Sequence, residues 1–350
     1  MKQLDIHSSI GDSKILVGES LKNVSNYLPK KKLVIITDKN VHNLYGHQFP
    51  EGFVIEIGTG EEIKTMQTVS DIIGLMLGKE FDRTCFVLGI GGGIVCDITG
   101  FVASIFMRGV DFGFVSTTLL AQVDASVGGK NGVNYEGLKN MVGVFALPQF
   151  VICDMDMLKT LPREEVLSGF AEIVKHGAIA DLALFEYMEQ NYQKALDMNP
   201  EVIERFVYNS VVIKSTIVNG DAREKGERRK LNFGHTFGHA VEKVTKIPHG
   251  MAISIGMIVA SELSVKRGLM NAEYAVRIKN LLHKLQLPTT MEGIDKDIAL
   301  SAMKRDKKLE VDTVHFKLLE KIGKAIIQEI TLNELKDITN DMCSNSGKGC

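Results

Sequence analysis

Cys85-Phe86-Val87-Leu88-Gly89-Ile90-Gly91-Gly92-Gly93 is the stretch on which the fold turns. An apolar run reads as a buried strand and passes straight into a glycine loop. Asp97 to Phe106 follow as a helix of mostly small residues. A glycine loop at a strand end lets backbone N–H groups approach a pyrophosphate, and the next helix adds its positive end. The spacing departs from G-x-G-x-x-G, because Gly91, Gly92 and Gly93 are consecutive. Asp97 sits among Ile94, Val95, Ile98 and Phe101, and an acid in such a helix needs a partner.

Working outward, Lys32–Asp38, Phe53–Ile57 and Phe112–Thr117 read as further strands. Ile63 to Leu77 carries apolar residues at helical spacing. Strands alternating with helices predict a mostly parallel sheet with helices on its faces. Ligands of such sheets bind at the carboxyl ends of the strands, where Asp38 and the glycine loop fall. An acid at Asp38 suits ribose hydroxyls or, equally, a helix cap. From about Leu161 the pattern changes. Helical spacing recurs through Asp181–Met188, Val202–Val218, His235–Val244, Met251–Leu269 and Ala272–Leu285. The fold class expected is α/β: a Rossmann-like nucleotide-binding domain over residues 1–158, an all-α metal- and substrate-binding domain over 159–340, and a flexible tail at 341–350.

Composition narrows the function. A formal net charge of -2 offers nothing to nucleic acid or an anionic membrane. No apolar run is long enough to span a bilayer. Met1 to Ile10 lacks the pattern of a secretory signal. The five cysteines are scattered without CxxC spacing, so a reduced, cytoplasmic setting is expected.

Two further stretches carry chemistry. Phe170-Ala171-Glu172-Ile173-Val174-Lys175-His176 puts Glu172 and His176 on one helix face. Leu231-Asn232-Phe233-Gly234-His235-Thr236-Phe237-Gly238-His239 does the same for His235 and His239, and Pro248-His249-Gly250 lies just beyond. A carboxylate and several imidazoles are the usual ligands of a catalytic zinc with one open position. Spacing leaves Glu172/His235/His249 and sets using His176 or His239 equally open. Gly128-Gly129-Lys130-Asn131-Gly132 is a second glycine loop, suited to a phosphate though not a Walker loop. Arg108, beside Gly109, is a candidate anion clamp.

Gly91-Gly92-Gly93…Asp97…Arg108-Gly109, Thr117 to Lys130, Leu161-Pro162-Arg163-Glu164…Gly169 to Lys175, and Asn232…His235…His239…His249-Gly250 together resemble the 3-dehydroquinate synthase family, in order from about Thr37 to Lys308. The resemblance implies bound NAD and a divalent metal, zinc or cobalt. It implies Glu172, His235 and His249 as metal ligands, and gives His176 no role. It places Asp38 and Asn40 at the adenosine ribose, and Glu61 and Lys64 near the cofactor. Gly92, Gly93 and Asp97 would line the pyrophosphate and nicotinamide ribose, with Thr117, Thr118, Lys139 and Thr160 completing the pocket. Asp124, Lys130, Asn140, Lys175, Lys214, Arg228, Asn232 and His239 would contact substrate. Arg108, across a homodimer interface, and Lys307 would hold its phosphate. Asn131 stands where the family usually has Thr.

The implied reaction turns a phosphorylated heptulosonate into 3-dehydroquinate and phosphate, a lyase step of the shikimate route to aromatic amino acids. NAD would oxidise the substrate transiently, phosphate would leave, NADH would return the hydride, and an intramolecular aldol would close the ring. The rivals are a sister cyclase acting on a sugar phosphate without a carboxylate, a metal- and NAD-dependent polyol dehydrogenase, and a catalytically dead NAD-binding or scaffolding protein, against which the intact ligand positions argue.

Overall fold

The computed structural model describes residues 1–292, 294–295, 298–301 and 313–345, without the side chains of 342–345. Lys307 and residues 346–350 of the expected tail lie outside the described residues. The chain divides into two compact units. One takes Met1–Leu161 together with Lys214–Arg223, and the other takes Pro162–Ile213 and resumes at Glu224.

In the first unit the strands are β1 (Lys2–Ser8), β2 (Gly11–Val17), β3 (Leu33–Asp38), β4 (Phe53–Ile57), β5 (Phe86–Gly91), β6 (Asp111–Ser116), β7 (Lys130–Tyr135), β8 (Leu138–Phe145) and β9 (Phe150–Cys153). Seven of them form one sheet in the order β1-β2-β9-β6-β5-β3-β4. Only β1–β2 is antiparallel; the other pairings are parallel. Interior strands such as β5 are buried along their whole length, as parallel strands covered on both faces must be. After β3 the chain goes outward to β4, then crosses to the other side of β3 for β5. The carboxyl ends of β3 and β5 therefore flank a topological switch point, the place where ligands of such sheets bind. Asp38 closes β3, and Gly91 closes β5. Helices α1 (Lys39–Tyr45), α2 (Met66–Gly78) and α3 (Gly93–Ile105) connect these strands. The glycine loop is thus one turn shorter than its sequence suggested, because α3 starts at Gly93 rather than Asp97. β7 and β8 pair as a separate antiparallel hairpin, so Lys130 begins a strand rather than sitting in mid-loop.

The second unit is mainly helical: α4 (Arg163–Ala180), α5 (Leu182–Leu196), α6 (Pro200–Gly220, whose end is shared with the first unit), α7 (His235–Thr245), α8 (His249–Lys266) and α9 (Ala272–Lys284). It is not all-α. β10 (Thr313–Lys321) and β11 (Lys324–Thr331) form an antiparallel hairpin that turns at Gly323, where φ is 88°. The hairpin buries Phe316 and Leu318, and Leu319 N–H donates to Ser264 Oγ on α8 at 3.0 Å. A last helix, Leu332–Asn345, includes residues 341–345 that the sequence suggested as tail. α4 is buried from Val166 through Ile179. That stretch includes Glu172, Lys175 and His176, three ionisable residues in a central helix, which burial tolerates only with partners. No described helix is long and apolar enough to cross a membrane.

Candidate metal centre and nucleotide loop

The candidate metal centre is built by α4, α7 and α8. Glu172 is fully buried. Its Oε2 accepts from Lys175 Nζ, one turn along α4. Its Oε1 faces two imidazoles: His235 Nε2 at 3.5 Å and His249 Nε2 at 3.6 Å. A tetrahedral zinc with bonds of about 2.1 Å spaces its ligand atoms about 3.4 Å apart, so these separations suit a shared dication. Behind the rings, His235 Nδ1 meets the carbonyl of Phe233 at 3.2 Å and His249 Nδ1 meets Glu242 Oε2 at 3.2 Å. Acceptors at Nδ1 are what metal-binding imidazoles use to turn Nε2 toward the ion. Burial holds His235 well below the ordinary histidine range, against Glu172, which favours the neutral form that can ligate. Burial also pulls His249 down, but hydrogen bonds to Glu172 and Glu242 outweigh it and raise it to about 9. A positive charge, proton or metal, is therefore favoured between those carboxylates. His239 is exposed, its ring centroid 5.1 Å from that of His235. His176 is fully buried on α4.

Close helix crossings make this arrangement possible. A methyl on Gly256 of α8 would collide with the carbonyl oxygen of Gly234, and one on Gly238 would come within 2.9 Å of Ala252 O. Gly250 meets the backbone of Ser168 on α4 in the same way. The contacts are with backbone, which cannot swing aside. Gly256→Ala should therefore separate α7 from α8 and cost about 1–3 kcal/mol or more, as overpacking does. Urea denaturation measures this, and a stability equal to that of the unaltered chain would refute it.

In the first unit the glycine loop is crowded by its neighbours. A Cβ on Gly92 would lie 2.9 Å from Thr118 Cγ2, and one on Gly93 2.9 Å from Ala125 Cβ. The loop's backbone thus opens α3 with Gly92 as N-cap. Asp97 finds its partner in Lys64, Nζ to Oδ2 at 2.5 Å, and the same Nζ donates to Asn140 Oδ1 at 2.6 Å. Burial raises the Asp97 pKa while Lys64 opposes the rise. Asn134 ties the surroundings together: its Nδ2 donates to Glu61 Oε1 at 2.8 Å, and its Oδ1 accepts from the Asn140 N–H at 2.9 Å. This second bond holds Asn140 at φ 53°. Lys139 Nζ is 3.8 Å from Glu61. Lys214 donates to both the carbonyl and Oδ1 of Asp124 at 2.6 Å. Asp38 caps α1, its Oδ1 accepting from Asn40 and Val41 N–H groups. Thr117 is buried, and Thr160 Oγ1 bonds Tyr45 Oη at 2.7 Å. Asn131 Nδ2 donates to the carbonyls of Gly129 and Ala146, pinning the loop before Lys130 from inside. Arg108 is exposed and has φ 69°, between Met107 at 48° and Gly109 at 116°.

In the second unit Arg228 is buried, and Asn232 Nδ2 donates to Glu224 Oε1 at 2.5 Å. The structure adds Glu224, Glu242 and Asn134 to the residues the sequence points to. A signal existed for Glu242, which lies three residues past His239 and so shares its helix face. None existed for Glu224 or Asn134, whose partners are met only in three dimensions. Burial pushes the Cys96 and Cys153 thiols up, so both behave as small apolar residues.

Residues 54–168 match the family description 3-dehydroquinate synthase N-terminal, and residues 169–309 match 3-dehydroquinate synthase C-terminal. The 3-dehydroquinate synthase of Dehalococcoides mccartyi is 38% identical over 94% of this chain and 96% of its own length. That of Acetivibrio thermocellus is 41% identical over 84% and 85%. Among solved structures, a 2-deoxy-scyllo-inosose synthase complexed with carbaglucose-6-phosphate, NAD+ and Co2+ superposes with a TM-score of 0.88 at 25% identity, covering 97% of this chain and 100% of that one. A 2-epi-5-epi-valiolone synthase from Streptomyces hygroscopicus with NAD+ and Zn2+ gives 0.88 at 26%, covering 97% and 98%. With both halves of the family description matched in order, this chain belongs to the 3-dehydroquinate synthase family.

Proposed function

We propose that the chain is a phosphate lyase that converts 3-deoxy-D-arabino-heptulosonate 7-phosphate to 3-dehydroquinate, using bound NAD and a divalent metal, zinc or cobalt. The observation that carries this reading is Glu172 Oε1 facing His235 Nε2 and His249 Nε2 at tetrahedral-edge separations, in a chain of this family. Bound NAD supplies a reversible hydride acceptor, and the bound metal a Lewis acid toward substrate hydroxyls. The chain's residues do the rest. Glu172, His235 and His249 hold the metal. The glycine loop with Gly92 and Gly93 presents backbone N–H groups to the pyrophosphate, Asp38 and Asn40 meet the adenosine ribose, and Glu61, Lys64, Asp97, Thr117, Thr118, Lys139 and Thr160 frame the rest of the cofactor. Lys130, Arg108 and Lys307 carry the charge of the departing phosphate. Lys175, Lys214, Arg228 and Asn232 receive the carboxylate, with Asp124, Asn140 and His239 at the hydroxyls. That cationic set favours a carboxylate-bearing substrate over those of sister cyclases.

Two further parts of the reading are the assembly and the compartment. A homodimer is supported by Ile105 and Met107, apolar side chains 39% and 44% exposed beside Arg108. Work in the cytoplasm is supported by the buried thiols Cys85, Cys96 and Cys153.

Phosphate release from the heptulosonate phosphate, with and without chelator, tests the reaction. NAD is expected to be required but not consumed. NADH accumulating in step with product would overturn the cyclase reading in favour of a dehydrogenase.

A further inference from the structure

The two imidazoles of the metal centre are braced by unlike partners. Behind His235 stands a neutral acceptor, the Phe233 carbonyl; behind His249 stands a carboxylate, Glu242. Glu242 lies two helical turns past His235 on α7, so the same face of that helix carries one ligand and the brace of another. Its side chain is 12% exposed, and His249 starts α8, whose Ala252 lies against Gly238 of α7. An acceptor at Nδ1 places the imidazole proton there and leaves the lone pair on Nε2. An anionic acceptor also makes that lone pair the stronger donor. We propose that Glu242 is a positioning residue that holds His249 in the Nδ1–H tautomer and raises the affinity of the centre for its dication without binding the ion itself.

This inference rests on Glu172, His235 and His249 being the ligands. It competes with one alternative drawn from the same helix. His239, Glu242 and His249 also offer ligand atoms within 4.8 Å of one another, and there Glu242 would be a ligand. The orientation of His249 favours the brace: Nε2 points at Glu172, a carboxylate that also faces His235 Nε2, while Nδ1 points at Glu242.

The test compares the full chain with Glu242→Gln and Glu242→Leu, each stripped of metal and titrated with Zn2+ against a chromophoric chelator, then with Co2+ by visible absorption. Glutamine still accepts from Nδ1 but lacks the charge, and leucine does neither. Removing such partners typically weakens metal affinity about 10–100-fold, so glutamine is expected near the lower figure and leucine near the upper. The shape of the Co2+ d–d bands should be the same in all three proteins. Unchanged Zn2+ affinity in both variants overturns the proposal. So does a changed d–d band shape in Glu242→Gln, which would make Glu242 a ligand. Failure of the unaltered chain to bind metal would bring down the metal centre and this inference together, whereas binding by it with unaffected variants brings down the inference alone. Glu242→Gln is nearly isosteric, so the comparison survives even if the leucine variant does not fold.

Discussion

Glu172→Gln is expected to empty the metal centre and to lower turnover by about a thousandfold or more, because a Lewis acid supplies several kcal/mol of transition-state stabilisation and each 1.36 kcal/mol is tenfold in rate. The carboxylate is buried and serves two sides: Oε2 toward Lys175, Oε1 toward His235 and His249. An amide removes the charge from both. The substitution should therefore also destabilise the metal-free protein, since Lys175 is 1% exposed and loses the carboxylate that compensates its burial. Breaking one member of a buried pair typically costs about 3–5 kcal/mol. The two effects separate in the double variant Glu172→Gln with Lys175→Met. There the thermal midpoint of the apoprotein should recover while metal content stays low. Elemental analysis of the purified proteins decides the first point: full metal occupancy in Glu172→Gln would remove Glu172 from the ligand set. Scanning calorimetry decides the second.

Arg108→Ala and Lys130→Ala should each be inactive alone, with losses of about 10²–10³ in kcat, as for other groups aimed at developing charge. Arg108 is exposed on a turn whose three consecutive residues have φ of 48°, 69° and 116°. Non-glycine residues in that region cost energy and persist where the surroundings hold them, commonly at functional positions. Mixed and re-associated, the two inactive proteins should regain activity if Arg108 serves the partner subunit's site. In a heterodimer one site then carries both lesions and the other carries neither. Random re-association makes about half the dimers mixed, so recovery approaches about a quarter of the unaltered activity for a twofold-symmetric dimer. Arg108→Lys should not substitute, because lysine lacks the bidentate fork that grips a phosphate. Heterodimers that form yet show no activity would place Arg108 in its own subunit's site.

The central strands were legible because parallel strands buried on both faces read as unbroken apolar runs, and the glycine loop marked where β5 had to turn. The paired spacings of Glu172 with His176 and His235 with His239 marked the helices that carry the candidate ligands. The β7–β8 hairpin was not legible, since β8 is largely exposed and no apolar run announces it. The β10–β11 hairpin had a signal, alternation about Gly323, that the helical pattern around it outweighed. Nor could local spacing choose among the ligand sets: residues four apart on any helix share a face equally well. Which face of α4 meets which faces of α7 and α8 is settled by Gly234, Gly238, Gly250 and Gly256, where one backbone lies against another. The sequence by itself thus determined the family, the glycine loop and the candidate ligands. Only the tertiary structure decided that Glu172 shares one oxygen with His235 and His249, and that Glu242 stands behind the second, because those contacts join helices whose separation along the chain leaves no periodic trace.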